Sequence, residues 1–441
     1  MKTRLLMGLS LLSALPLAAV TPTVTVTRVD CVGRRLNVTY SIANGPAIVT
    51  LEVLTNGVPI ASSDLATASG DVNRIVSGAS GKLTWKASQE LAALSEKDDL
   101  LKVAVKAWPL GAPPDYVVFD LDSTDPKADT RFYADAASVP GGVGAAKYKT
   151  THLVMRKIPA GATTSEVGLK SVKNTGNQWK NYVARCTPRL VTLSRDYYLG
   201  VYELTQGQVE GRWPDRPSGR AVSTRGTTDW QMKPLGNFYH DEIRGKNLGA
   251  RWPEGDDPHA VDPGSLLASL RGITGVRLDL PTSAQWEVAS RCGTESNYID
   301  GYDSHADYLT NAASSNSLVS LGWCKFEASR PQVVGLKRAN PYGLYDMQGN
   351  VCEQCLDWFT FSDGSFADDK HQIDPRGPTF DEVVDYRSGG GTRVNHGGSY
   401  TSDHVDFASF AKSSNYTKRN SDLDFIGLRL CCDADMSVLN N

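Results

Sequence analysis

From Thr21 to Pro109 apolar and polar residues alternate in short runs, as in TVTVTRVDC, RRLNVTYSIA, AIVTLEVL and LLKVAVKAW. A period of two turns one side of each run to a core and the other to water, so each run predicts a strand. Turn formers separate them: Asn56-Gly57, Ser69-Gly70 and Gly78-Ala79-Ser80-Gly81. Several short strands in one such stretch predict a β-sandwich of immunoglobulin or fibronectin type over residues 21–109. The Gly81-Lys82 pair is not a phosphate loop, because the glycine such a loop requires would fall on Val76.

Residues 110–145 are rich in Pro, Gly, Asp and Ala, with Ala112-Pro113-Pro114 and Pro140-Gly141-Gly142, and predict a linker with an edge segment. The domain boundary is expected there, with a second domain over 146–441. In that domain Thr205 is placed to cap a short helix over Gln206 to Glu210. Thr282 and Gln285 have the spacing of a capping box and predict a helix whose Trp286, Val288 and Ala289 face a sheet. The polar, Gly-rich remainder predicts an α+β domain with many loops, without internal repeats or low-complexity tracts.

The first residues change the setting. Lys2 and Arg4 precede an apolar run from Leu5 to Leu17, then Ala18 and Ala19, the pattern of a secretory signal peptide over residues 1–19. The first cysteine is Cys31, too far along for lipid attachment, and no later apolar run approaches the length of a membrane span. The 441 residues carry a formal charge of −3, which becomes about −5 once the two cations of the signal are removed. Scattered cations with no basic stripe argue against nucleic acid as a partner. Among eight cysteines, Cys352 and Cys355 form a C-x-x-C, a spacing open to redox chemistry, zinc or structural bridging. No thioredoxin-like pattern surrounds the pair and no second C-x-x-C completes a zinc site, so bridging to Cys324, Cys431 or Cys432 is expected in an exported chain.

The densest chemistry lies in PYGLYDMQGNVCEQCLDWF, from Pro341 to Phe359. Asp346 and Glu353 flank Gly349 and Asn350, and an irregular loop there brings hard oxygen donors together as calcium requires. The alternative is that both carboxylates cap backbone amides. This block, with LVTLSRDYYLGVYELTQGQ (190–208), LPTSAQWEVASRCG (280–293), RVNHGGSY (393–400) and GLRL (427–430), resembles the signature of the formylglycine-generating, or sulfatase-modifying-factor, family. The resemblance runs from about Thr151 to Cys432. It implies an irregular C-type-lectin-like fold and a structural calcium on the side chains of Asp346 and Glu353 and the carbonyls of Gly349 and Val351.

The family's oxidases, by the same resemblance, activate oxygen on copper held by two cysteines five residues apart, just after GGS. Here Ser402 and Phe407 stand at those positions. A hydroxyl is a hard donor and a phenyl ring offers no lone pair, so copper is not expected. The tryptophans that flank the family's N-x-x-E glutamate are replaced as well, by Cys352 and Gln354. Ergothioneine-type iron chemistry would require a helical N-terminal domain that this chain lacks. His396, His404, Asp403 and Asp406 have no spacing that fixes a metal geometry and read as loop residues.

The stretch from Thr401 to Phe425 mixes Ser, Asn and Asp with Tyr and Phe, the composition of adaptable binding surfaces; a solvated loop is the alternative. In the lectin-like scaffold this segment carries variation in diversified binding proteins. The expectation is an exported, non-oxidase member that binds an extracytoplasmic protein or glycan through Ser399, Tyr400, Ser402, His404, Phe407 and Tyr416. The rivals are a formylglycine-generating oxidase or related periplasmic maturation enzyme with a rearranged site, and a structural component of a surface apparatus.

Overall fold

The computed structural model describes residues 21–88, 101–160, 164–168, 186, 188–218, 226–296, 298–299, 319–359, 371–384, 392–402, 413–415 and 424–440. The expected signal peptide lies outside these residues, as do His404, Phe407, Tyr416 and most of the segment expected to bind.

The alternating runs near the N-terminus become two antiparallel sheets. In one, β1 (Thr23–Val32), β2 (Arg35–Ala43) and β5 (Ser80–Lys86) are neighbours; in the other, β3 (Ala47–Thr55) lies between β4 (Arg74–Val76) and β6 (Leu101–Trp108). Leu36, Val38 and Tyr40 of β2 alternate inward and meet Val49 and Val53 of β3 with Leu83 and Trp85 of β5, so the period of two builds the sandwich core. The outer face of β3 is covered too. Ile48 and Ile75 pack with Val117, Phe119 and Phe132, which makes the sandwich continuous with the core of the second domain.

That continuity corrects the expected linker. Residues 116–120 form β7 (Tyr116–Asp120) and residues 131–133 form β8 (Arg131–Tyr133), an inner strand and the edge strand of a five-stranded sheet. The order runs β8, β7, β9 (His152–Ile158), β10 (Tyr197–Gly200) and β15 (Cys431–Asp433), antiparallel throughout. The C-terminal strand thus closes beside β10, where Tyr198 opposes Cys432.

A second sheet carries the motifs. Its order is β13 (Ser413–Asn415), β12 (Arg393–His396), β11 (Cys352–Trp358) and β14 (Ile426–Leu428), with β14 parallel to β11. Both expected helix starts are present. Thr205 closes a capping box on α1 (Gln206–Val209), and Thr282 closes one on α4 (Ser283–Arg291), where its hydroxyl accepts from the Gln285 amide at 3.1 Å. Two further helices, α2 (His240–Ile243) and α3 (Leu266–Thr274), pack beside them. The whole is an α+β arrangement, a β-sandwich followed by a loop-rich C-type-lectin-like domain. Among the described residues no helix is long and apolar enough to cross a membrane.

The bridges expected from Cys352 or Cys355 are not formed, because Cys324, Cys431 and Cys432 each keep a free thiol. Successive residues on a strand face opposite sides, so Cys431 packs with Cys355 in one apolar cluster and Cys432 in the other. Each sulfur serves there as a small hydrophobe.

Candidate functional site

The 341–353 turn is built from residues that tolerate a left-handed backbone. Asp346 (φ 55°), Gly349 (φ 82°) and Asn350 (φ 57°) all adopt it, which is why Asp, Gly and Asn recur in this block. Main-chain bonds tie the turn to its surroundings: Gly349 N–H donates to the Gly397 carbonyl (2.8 Å), Asn350 N–H to that of Trp323 (3.0 Å), and Tyr400 N–H to that of Asn350 (2.8 Å). The GGSY segment is therefore placed by the turn itself.

From Asp346 to Glu353 its residues are buried. Asn350 Nδ2 donates to Glu203 Oε2 (2.7 Å) while its Oδ1 accepts from Gln332 N–H (2.9 Å), and Val351 N–H donates to Glu203 Oε1 (3.0 Å). Glu353, fully buried, takes Arg429 on both oxygens, with Nε at 3.1 and 3.0 Å and Nη2 at 2.6 Å, and accepts the Trp286 indole N–H at 2.6 Å. Trp286 stacks flat on His396, centroids 4.7 Å apart and planes 6° from parallel, and Ser283 Oγ lies 2.8 Å from His396 Nε2. The start of α4, the GGSY strand and the GLRL arginine thus meet at one glutamate.

Charge is unbalanced here. Glu203, Asp346 and Glu353 surround a single guanidinium, Arg429. Burial, followed by the Asp346 and Glu353 charges, pushes Glu203 well above the usual carboxylate range. Burial likewise raises Asp346 to about 6, against the opposing pull of the Gly335 amide and Arg429. As calcium ligands the two expected carboxylates differ. Glu353 does not fit, since a cation there would have to displace a guanidinium that already neutralises it. Asp346 fits better: Oδ2 accepts from Gly335 N–H (2.6 Å), while the buried Oδ1 has no hydrogen-bond partner among the described residues. Gly349 and Val351 sit in the same turn.

The other face of the β11–β12 pair is polar. Gln354 and Asn395 stand directly opposite each other, both fully buried, and Gln354 Nε2 donates to the Phe238 carbonyl at 2.9 Å. That bond fixes the amide so that Oε1 faces away, and among the described residues neither Gln354 Oε1 nor Asn395 Oδ1 accepts a hydrogen bond. Arg393 Nε and the Nε2 of His240, at the head of α2, are buried and unpartnered too. Burial, then the Arg393 and Arg244 charges, holds the His240 imidazole well below its usual pKa. An unmet buried polar atom costs about 1–3 kcal/mol, which a bound polar group would recover.

At the edge of this face lies GGSY. Ser402 Oγ accepts from Ser399 N–H (3.1 Å), and Ser399 Oγ lies 2.8 Å from Thr401 Oγ1. Ser399 is buried; Tyr400 and Ser402 are half-buried. These three are brought together, and His404, Phe407 and Tyr416 are outside the described residues. Sequence reading missed Glu203, Trp286, Arg429, Asn395, Arg393 and His240 as members of the site. For all of these but His240 a signal was present, since they lie inside the quoted blocks.

Parts of the chain match known proteins. The profile of the sulfatase-modifying factor enzyme 1-like domain matches residues 235–434. The chaperone protein LppX of Paenibacillus barcinonensis is 30% identical over 199 residues, which cover 42% of this chain and 69% of that one. The formylglycine-generating enzyme of Thermomonospora curvata is 32% identical over 165 residues, 34% of this chain and 51% of the enzyme, so about half of its length is spanned. The solved structure of PvdO from Pseudomonas aeruginosa aligns at a TM-score of 0.44 and 16% identity, over 64% of this chain and 94% of PvdO. With Asn350, Glu353, GGSY and the GLRL arginine meeting in one network inside the matched region, the chain belongs to the sulfatase-modifying factor enzyme 1-like family.

Proposed function

We propose that the protein is an exported, non-oxidase member of its family that binds a protein or glycan outside the cytoplasm, using the GGSY turn, the 401–425 segment and the polar face of β11–β12. One observation supports the reading: Gln354 and Asn395 face each other across β11–β12, and among the described residues their buried amide oxygens, Oε1 and Oδ1, accept no hydrogen bond. Two amide oxygens are hard acceptors suited to N–H and O–H groups, which peptides and sugars supply. The serine at the first thiol position is spent on the Ser399 amide. A relative named as a chaperone protein supports a protein as the partner. The signal-like N-terminus supports export.

The second reading, a formylglycine-generating oxidase or related maturation enzyme with a rearranged site, is favoured by identity to such an enzyme over 165 residues. Copper separates the two. Purified mature protein is titrated with Cu(I) against a competing chelator. The binding reading expects no tight stoichiometric site, and a site that outcompetes the chelator would favour the oxidase.

A further inference from the structure

A cleft of about 540 Å³ opens between the 252–259 loop, the start of α4 and β15, and shares no lining residue with the polar face of β11–β12. Its volume is that of a small-molecule site. At its floor Asp279 is buried and accepts from Arg244 Nε (2.9 Å) and Nη2 (3.0 Å), Arg271 Nη2 (3.3 Å), the Leu280 amide (2.8 Å) and His259 Nδ1 (2.8 Å). A carboxylate only accepts, so His259 donates through Nδ1, and its Nε2 edge is left to the cleft, where the side chain is 38% exposed.

Positive charge dominates this wall. Two guanidiniums, Arg244 and Arg271, meet the one Asp279 carboxylate behind the imidazole. The Trp252 indole borders both His259, with ring centroids 4.9 Å apart, and the Arg376 guanidinium, 5.8 Å from the ring, and its N–H donates to the Arg376 carbonyl at 3.1 Å. Arg376 is exposed and has no carboxylate partner among the described residues. Three further carboxylates line the cleft: Asp196 accepts the Ala160 amide, Asp374 the amide and hydroxyl of Ser194, and Asp433 the Arg195 guanidinium and the Asp435 amide.

We propose that this cleft binds a small molecule through a carboxylate or phosphate group, held by the Nε2 edge of His259 and by Arg376. Asp279 positions the imidazole, and the buried arginines behind it set the sign of the field. The two groups differ in strength: Arg376 offers a planar fork of donors, His259 a single directed one. Both reach the cleft from loops, and Asp279 keeps Arg244, Arg271 and the Leu280 amide as donors when His259 is replaced.

Calorimetry on the mature full chain tests this with benzoate, phenyl phosphate and, as the uncharged control, benzyl alcohol. At least one anion should bind saturably and at least about tenfold more tightly than the alcohol, as a charge-assisted contact requires. The preferred anion tells a carboxylate from a phosphate. His259→Gln and Arg376→Gln should each weaken binding about fivefold or more while the far-ultraviolet circular dichroism stays that of the parent. The proposal is overturned if neither anion saturates at millimolar concentration, if benzyl alcohol binds as well, or if both variants bind like the parent.

Discussion

Arg429 grips Glu353 by both carboxylate oxygens in the centre of the domain, where the arginine is fully buried and the glutamate equally so. The same guanidinium reaches the carbonyls of Gly200 (2.8 Å) and Tyr345 (2.7 Å), joining β10 to the central turn. Removing one partner strands the other as a bare buried charge. Arg429→Met is therefore expected to cost about 3–5 kcal/mol, and the double variant with Glu353→Leu appreciably less than the sum of the singles. Denaturant unfolding of the four proteins of the cycle measures this; additive losses would show that the pair is not coupled.

The calcium proposal now turns on Asp346 instead of Glu353. If calcium binds the native turn alone, it raises the melting temperature by mass action and chelation lowers it. Asp346→Asn should abolish that response. Glu353→Gln should lower the melting temperature through the lost ion pair yet keep a calcium response. A melting temperature indifferent to both calcium and chelator would remove calcium from the account.

How legible was this centre from sequence alone? The capping boxes at Thr205 and Thr282 were, since their bonds span three residues. The GNVCE turn was equally local. Glu203 was not, although it lies inside the quoted 190–208 block, because its partner Asn350 is 147 residues away. The expected linker failed for a related reason: Pro and Gly around 112–114 and 140–142 advertise turns, while pairing of Tyr116–Asp120 with His152–Ile158 depends on a strand beyond the turn. The bridging expected of Cys352 and Cys355 rested on compartment, which says nothing about which faces of a strand the sulfurs take.

His240 should make the protein acid-sensitive. Its folded pKa is depressed, so the native state keeps the ring neutral between Arg393 and Arg244. The unfolded value is about 6.5, so this contribution is present above that pH and is lost as pH falls through and below it. Against the parent, His240→Gln should flatten the loss of stability on acidification below pH 6.5. Identical slopes would show that His240 does not control it.

Two glycines separate close packing from mere flexibility. A Cβ on Gly322 would fall 1.6 Å from the Gln348 carbonyl oxygen, a backbone atom held in the central turn. Gly322→Ala should therefore cost at least about 3 kcal/mol or prevent folding. A Cβ on Gly272, in α3, meets nothing within 4 Å, and Gly272→Ala should stabilise by about 0.5–1 kcal/mol. Melting temperatures of both variants decide the comparison, and a tolerated Gly322→Ala would contradict the packing of the turn.

The central claim is that this family member has lost oxidase chemistry and kept the fold for binding. Incubation of the mature protein with copper, oxygen and a sulfatase-type peptide containing cysteine, followed by mass spectrometry of that cysteine, tests it most directly. With Ser402 and Phe407 at the thiolate positions, the cysteine is expected to remain unconverted, and Ser402→Cys alone should not restore turnover. Copper-dependent formation of formylglycine by the unaltered protein would contradict the account.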